Sequence, residues 1–107
     1  DPARAEGEFR AEAKLAPGSA TAAFKLGLTL AQRGQMAAAL AEFDRADRLR
    51  PDMPETLLEA GKARAATGDA AGAEKALTRV VELESRGALA EAAWLQLASV
   101  YRKTGRA

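Results

Sequence analysis

Apolar residues return every three or four positions along most of the chain, the spacing of one buried face on a helix. Leu26, Leu30, Met36, Ala39, Leu40, Phe43, Ala46 and Leu49 make one such stripe on each of two helices. The punctuation between stripes suits this reading. One helix is predicted from Ser19 to Arg33, a break at Gly34-Gln35, a second helix from Met36 to Arg50, and a stop at Pro51. Gly34 stands where a left-handed residue closes a helix, and proline cannot continue one. Further on, Asp52 with Glu55 three residues later has the form of a capping box. Pro54 falls in the first turn, where its missing N–H is harmless, and Gly68-Asp69 ends one helix and caps the next. Strand-like runs of Val, Ile, Tyr and Thr are missing, while alanine, the best helix former, is abundant. The class is all-α.

The same punctuation recurs at a fixed interval. Pro17/Pro51, Gly27/Gly61, Gly34/Gly68, Ala39/Ala73, Phe43/Leu77 and Leu49/Leu83 are each 34 residues apart. Six pairs in one register point to an internal repeat of two helices per period. Gly27, Ala39, Gly61 and Ala73 are small where two helices would cross closely, and a bulky side chain there would force them apart.

This pattern resembles the tetratricopeptide repeat. Numbered from Ala20, the first full repeat carries Leu26, Gly27, Leu30, Gly34, Ala39, Phe43, Ala46 and Pro51 at the family's signature positions. From Pro54, the second carries Leu57, Gly61, Gly68, Ala73 and Leu77. A third begins at Glu91 with Trp94, Leu97, Ala98, Tyr101 and Gly105, and Ala5, Phe9 and Pro17 read as the closing helix of an earlier one. The resemblance implies one domain over 1–107: the second helix of an incomplete repeat over 1–16, full repeats over 20–50 and 54–84, and a first helix over 88–107. It also implies a right-handed α-solenoid of antiparallel hairpins. Some places depart from the pattern. Ala23 stands where a large residue is usual, with Phe24 one place later; Arg64 replaces an apolar residue; Ser85 replaces the closing proline. About three residues are inserted around Ser85-Arg86-Gly87, so the last helix is expected to start a turn early or to follow a longer loop.

By the same resemblance, the first helix of each repeat lines a concave groove. The positions carried over are Thr21, Phe24, Leu28 and Ala31, then Glu55, Leu58, Lys62 and Ala65, then Ala92, Leu95, Ser99 and Arg102. Phe24, Leu28, Leu58 and Leu95 would form an apolar strip flanked by Glu55, Lys62 and Arg102, suited to an amphipathic helix or an extended peptide. Phe24 has an alternative, packing inward in place of Ala23. Leu58→Glu is then expected to abolish partner capture with helicity unchanged. The family's clamp for chaperone carboxyl tails is absent, since its places hold Phe24, Leu28, Ala92 and Gln96.

Composition narrows the chemistry. Among 107 residues, 16 basic side chains nearly cancel 15 acidic ones, so no long-range field draws in nucleic acid. There is no histidine and no cysteine, which removes the commonest general base, the commonest metal ligand and all thiolate chemistry. Lys62 follows Gly61, but Thr56 and Ala63 occupy places a phosphate-binding loop needs otherwise. Glu6, Glu8, Glu12, Glu55 and Glu59 read as solvent-facing helix residues. No catalytic residue, metal or cofactor is expected, and no membrane insertion. Arg64 is expected to pack its alkyl stem while its head reaches water or a carboxylate.

The leading expectation is therefore a protein-interaction scaffold that holds a peptide or helix of a partner. The alternative is self-assembly through uncovered terminal helices, where Trp94, Leu97 and Tyr101 lack a covering neighbour. The opening Asp1-Pro2, without a methionine, suggests an excised piece or processed product with further repeats flanking it. The excess of alanine and of arginine over lysine points to a GC-rich bacterial genome. Cytoplasmic and periplasmic homes are equally compatible.

Overall fold

In the computed structural model, residues 1–15 and 18–105 are described, with the backbone alone over 12–15. Pro17 and Arg106, and the side chain of Glu12, lie outside the described part. Six helices follow one another: α1 (Pro2–Leu15), α2 (Ala20–Gln32), α3 (Met36–Leu49), α4 (Pro54–Ala66), α5 (Ala70–Leu83) and α6 (Ala88–Lys103). They divide into two compact units, Asp1–Pro51 and Asp52–Ala107.

In the first unit, α2 packs on both α1 and α3. Ser19 caps α2, its hydroxyl accepting from the Ala22 N–H at 3.1 Å. Gly34 closes the helix at φ +79°. The Gln35 N–H then donates to the Leu30 carbonyl at 2.9 Å, the bond of a left-handed helix closure. Leu26, Leu30, Ala39, Phe43 and Ala46 are buried, as the periodicity requires, whereas Leu49 at the helix end is 41% exposed. Gly27 is small for a geometric reason: a Cβ there would stand 2.5 Å from Phe43 Cε1. The Phe43 ring fills the space that the missing side chain leaves. α1 is tied to α2 by Glu6, whose carboxylate accepts from Arg10 on its own helix and from Arg33 at the end of α2. Those hydrogen bonds, Arg10 first, hold the Glu6 carboxyl below its ordinary range.

In the second unit, α5 packs on α4 and α6, and α4 also meets α6. The core gathers Leu58, Ala73, Leu77, Val80, Ala93, Leu97 and Val100. Gly61 repeats the role of Gly27, since a Cβ there would lie 2.8 Å from Leu77 Cγ. Gly68 closes α4 at φ +92°. The Asp69 carboxylate caps α5, accepting from the Gly72 N–H at 2.9 Å. α6 begins at Ala88, a turn ahead of the repeat frame, entered through Gly87 at φ +93°. Glycine is the residue that adopts this backbone freely.

Three local expectations need correction. Asp52 does not cap α4: Met53 holds the N-cap and makes no side-chain capping bond. Asp52 instead turns the chain at φ +59°, which a short polar side chain tolerates. Its carboxylate accepts two hydrogen bonds from Arg79, at 2.8 and 3.2 Å. This lowers the Asp52 carboxyl from its ordinary range and raises the Arg79 guanidinium. Leu97, expected to lack a covering neighbour, is only 1% exposed because α6 packs on α5 and α4 and brings it into their core. Finally, Leu58 is buried, as detailed below.

Candidate interaction surface

The nine predicted groove residues divide by unit. On α2, Thr21 is exposed and Phe24 and Leu28 are half-buried. The Phe24 ring lies against Phe43, with centroids 5.9 Å apart and planes tilted by 49°. It therefore serves the core with one side and remains partly open on the other, so both alternatives hold in part.

In the second unit, Glu55 and Lys62 on α4 are exposed, as are Leu95 and Arg102 on α6, with Ser99 half-buried between them. Lys62 reaches back to Glu59, 3.4 Å away. Leu95 is 70% exposed and its neighbour Trp94 is 56% exposed. Leu58 departs from expectation. It is 7% exposed and sits in the core among Leu77, Ala93 and Leu97. The positional rule placed it on the correct helix but did not include the apolar face of α6 that closes over it. Leu58→Glu would insert a charge into that core and unfold the unit rather than test a binding surface.

Trp94 is the apolar side chain this strip had not included. Its signal was in the sequence: it stands beside Leu95 and holds the large-residue place of the third repeat.

Arg64 meets the expectation for its type. Its side chain is 28% exposed and its guanidinium lies 3.6 Å from the Asp69 carboxylate. Gly72 makes room for both groups, because a Cβ there would run into the Asp69 carboxylate, 2.7 Å from its Cγ, and stand 2.9 Å from Arg64 Cδ. Among the described residues, no helix is long and apolar enough to cross a membrane, and no group of three acidic, histidine or cysteine residues is placed to hold a metal ion.

The tetratricopeptide repeat family model matches residues 1–54. No curated protein matches the chain in sequence. Several solved structures share its fold. The Yersinia enterocolitica type III secretion chaperone SycD, in complex with a peptide of the translocator YopD, superposes with a TM-score of 0.87 at 20% identity, covering 96% of this chain and 82% of that one. PcrH, in complex with the chaperone binding region of PopD, gives 0.87 at 22%, covering 96% and 80%. The first repeat domain of Spaghetti (RPAP3), bound to an HSP90 peptide, gives 0.84 at 18%, covering 91% and 75%.

Proposed function

Because the chain belongs to the tetratricopeptide repeat family, we propose that it is a non-enzymatic interaction module that holds a peptide or short helix of a partner protein against the first-helix faces of its hairpins. The observation that carries this reading is that structures sharing its fold over nearly its whole length, SycD, PcrH and Spaghetti, were each solved with a peptide or binding region of another protein. Physical support comes from side chains that stay open after folding. On α2 these are Leu28 and the outer side of Phe24, both half-buried, and on α6 the exposed Leu95. Apolar anchors with few fixed charges favour a partner with two or three apolar residues at strand or helix spacing over one read by its terminal carboxylate.

Selection from a random peptide library displayed on phage tests this. Enriched peptides should share apolar anchors, and each should lose capture to Leu28→Glu or to Leu95→Glu, according to the unit that holds it, while circular dichroism stays unchanged. A library that yields no enriched sequence, or capture indifferent to both variants, would remove the reading.

A further inference from the structure

Among the described residues, two stretches hold five exposed residues in a row, 48–52 and 84–88. They differ in how the backbone is held. In the first, the Arg50 N–H donates to the Ala46 carbonyl at 2.9 Å, and the Asp52 carboxylate is gripped by Arg79. In the second, no described backbone carbonyl accepts from the N–H of Ser85, Arg86 or Gly87, and Arg86 makes no ion pair with a described residue. Glu84 leaves α5 with extended backbone, φ −127° and ψ 95°. Gly87 stands at φ +93°, and glycine passes from there to an extended conformation without the steric cost that a side chain imposes. Exposed loops of small and polar residues are where chains are preferentially nicked.

A protease that cuts after basic residues takes its substrate as an extended strand, with the cation in an acidic pocket. Three described basic residues lie outside the helices: Arg33, Arg50 and Arg86. The bond after Arg33 is locked in a tight turn, where the Gly34 and Gln35 N–H groups bond back into α2 and Glu6 holds the guanidinium. The bond after Arg50 leads into Pro51, whose ring nitrogen such enzymes do not accommodate. Only Arg86 of the three is followed by an open bond. We infer that the Arg86–Gly87 peptide bond is a processing site for a trypsin-like endoprotease. Water adds across the bond, leaving a carboxylate on Arg86 and an amine on Gly87. The released segment carries α6, and with it Ala93, Leu97 and Val100 of the core, so Leu58, Leu77 and Val80 lose part of their cover. A helix of 16 residues is marginal by itself in water, and its docking must now also offset the entropy of ordering it. The two products therefore part, and one cut dismantles the second unit and removes Leu95 from the molecule.

The inference goes beyond the peptide reading and does not depend on it. Digestion of the folded 107-residue chain with trypsin at about 1:1,000 by mass, followed by mass spectrometry, tests it. The first cut between residues 20 and 101 should yield a new amino terminus at Gly87. Its products should separate on gel filtration, with a loss of helical circular dichroism. Arg86→Gln should slow cutting in that region at least about tenfold. Arg86→Gln with Ser85→Arg should restore the rate to within about threefold and move the cut one bond earlier, since the loop stays open. Both positions are exposed, and circular dichroism before digestion checks that the variants fold. A first cut in that region after Arg33 or inside a helix, a rate indifferent to Arg86→Gln, or products that stay together with helicity unchanged would each overturn the proposal.

Discussion

The hairpins α2–α3 and α4–α5 occupy the same register 34 residues apart, yet their closing turns are built differently. In the first, Leu30 is buried, Gln35 offers no side-chain cap to α3 and Ala38 is exposed. In the second, the matching places hold Arg64, Asp69 and Gly72, and the three act together. Asp69 caps α5 and faces the Arg64 guanidinium, while the bare Gly72 backbone gives the arginine stem its path. The glycine–partner contact at the crossing is kept in both, with Phe43 against Gly27 and Leu77 against Gly61. The comparison teaches that the repeat preserves the helix crossing and varies the turn. An apolar position can take a charge when a carboxylate and a vacancy come with it.

The largest expected effect lies in the core that α6 closes. Leu58→Glu should cost about 4 kcal/mol or more, the range of an unpaired buried charge, and collapse the second unit in urea titrations. Leu95→Glu, on the open side of α6, should stay within about 0.5 kcal/mol of the parent. Equal losses for the two would erase the distinction between inner and outer faces.

The crossing comes next. Gly27→Ala should destabilise by about 1–3 kcal/mol despite alanine's helix preference, because the Phe43 ring cannot fold away from the new methyl. Gly61→Ala should cost less, since the Leu77 branch can shift. The Phe43→Leu background should shrink the first penalty towards the second, a convergence that thermal melts can check.

Smaller again is the coupling in the second turn. Gly72→Ala alone crowds the Asp69 carboxylate and the arginine stem, and adding Arg64→Leu relieves only the second contact, so it should recover about 1 kcal/mol of the loss. A double-mutant cycle should give a coupling near 1 kcal/mol, and additive values would mean that Arg64 and Gly72 are independent.

The smallest effect is in the two cross-element ion pairs, Glu6 with Arg33 in one unit and Asp52 with Arg79 in the other. Both carboxyls titrate lower in the folded chain than their ordinary values of 4.5 and 3.8. Their stabilisation is therefore complete above those values and is lost as pH falls through the lowered folded ones. Urea midpoints of the parent and of Glu6→Gln and Asp52→Asn should differ slightly at pH 7 and converge in acid below those ordinary values. A gap that persists in acid would mean that these charges are not what the variants remove.

Much of this architecture was legible because glycine and proline carry backbone meaning. Gly34 and Gly68 do close their helices in the left-handed region, and the extra residues at Ser85-Arg86-Gly87 do start α6 early. The Asp52 cap was misread because a Ser/Thr/Asp/Asn pattern does not reveal backbone φ, and a competing guanidinium from α5 took its carboxylate. Leu58 was misassigned because a helix position specifies a direction, while burial depends on the neighbour that direction meets. Phe24 fell between its alternatives, since a ring is wide enough to touch Phe43 and still present an edge to solvent.

The trio in the second turn also bears on mutational history. With Asp69 and Arg64 in place, a methyl at position 72 would meet the carboxylate first and the arginine stem next, whereas glycine gives up only a little helicity. Glycine must therefore precede the pair or arrive with it, and homologues that share Asp69 and Arg64 should share Gly72 as well.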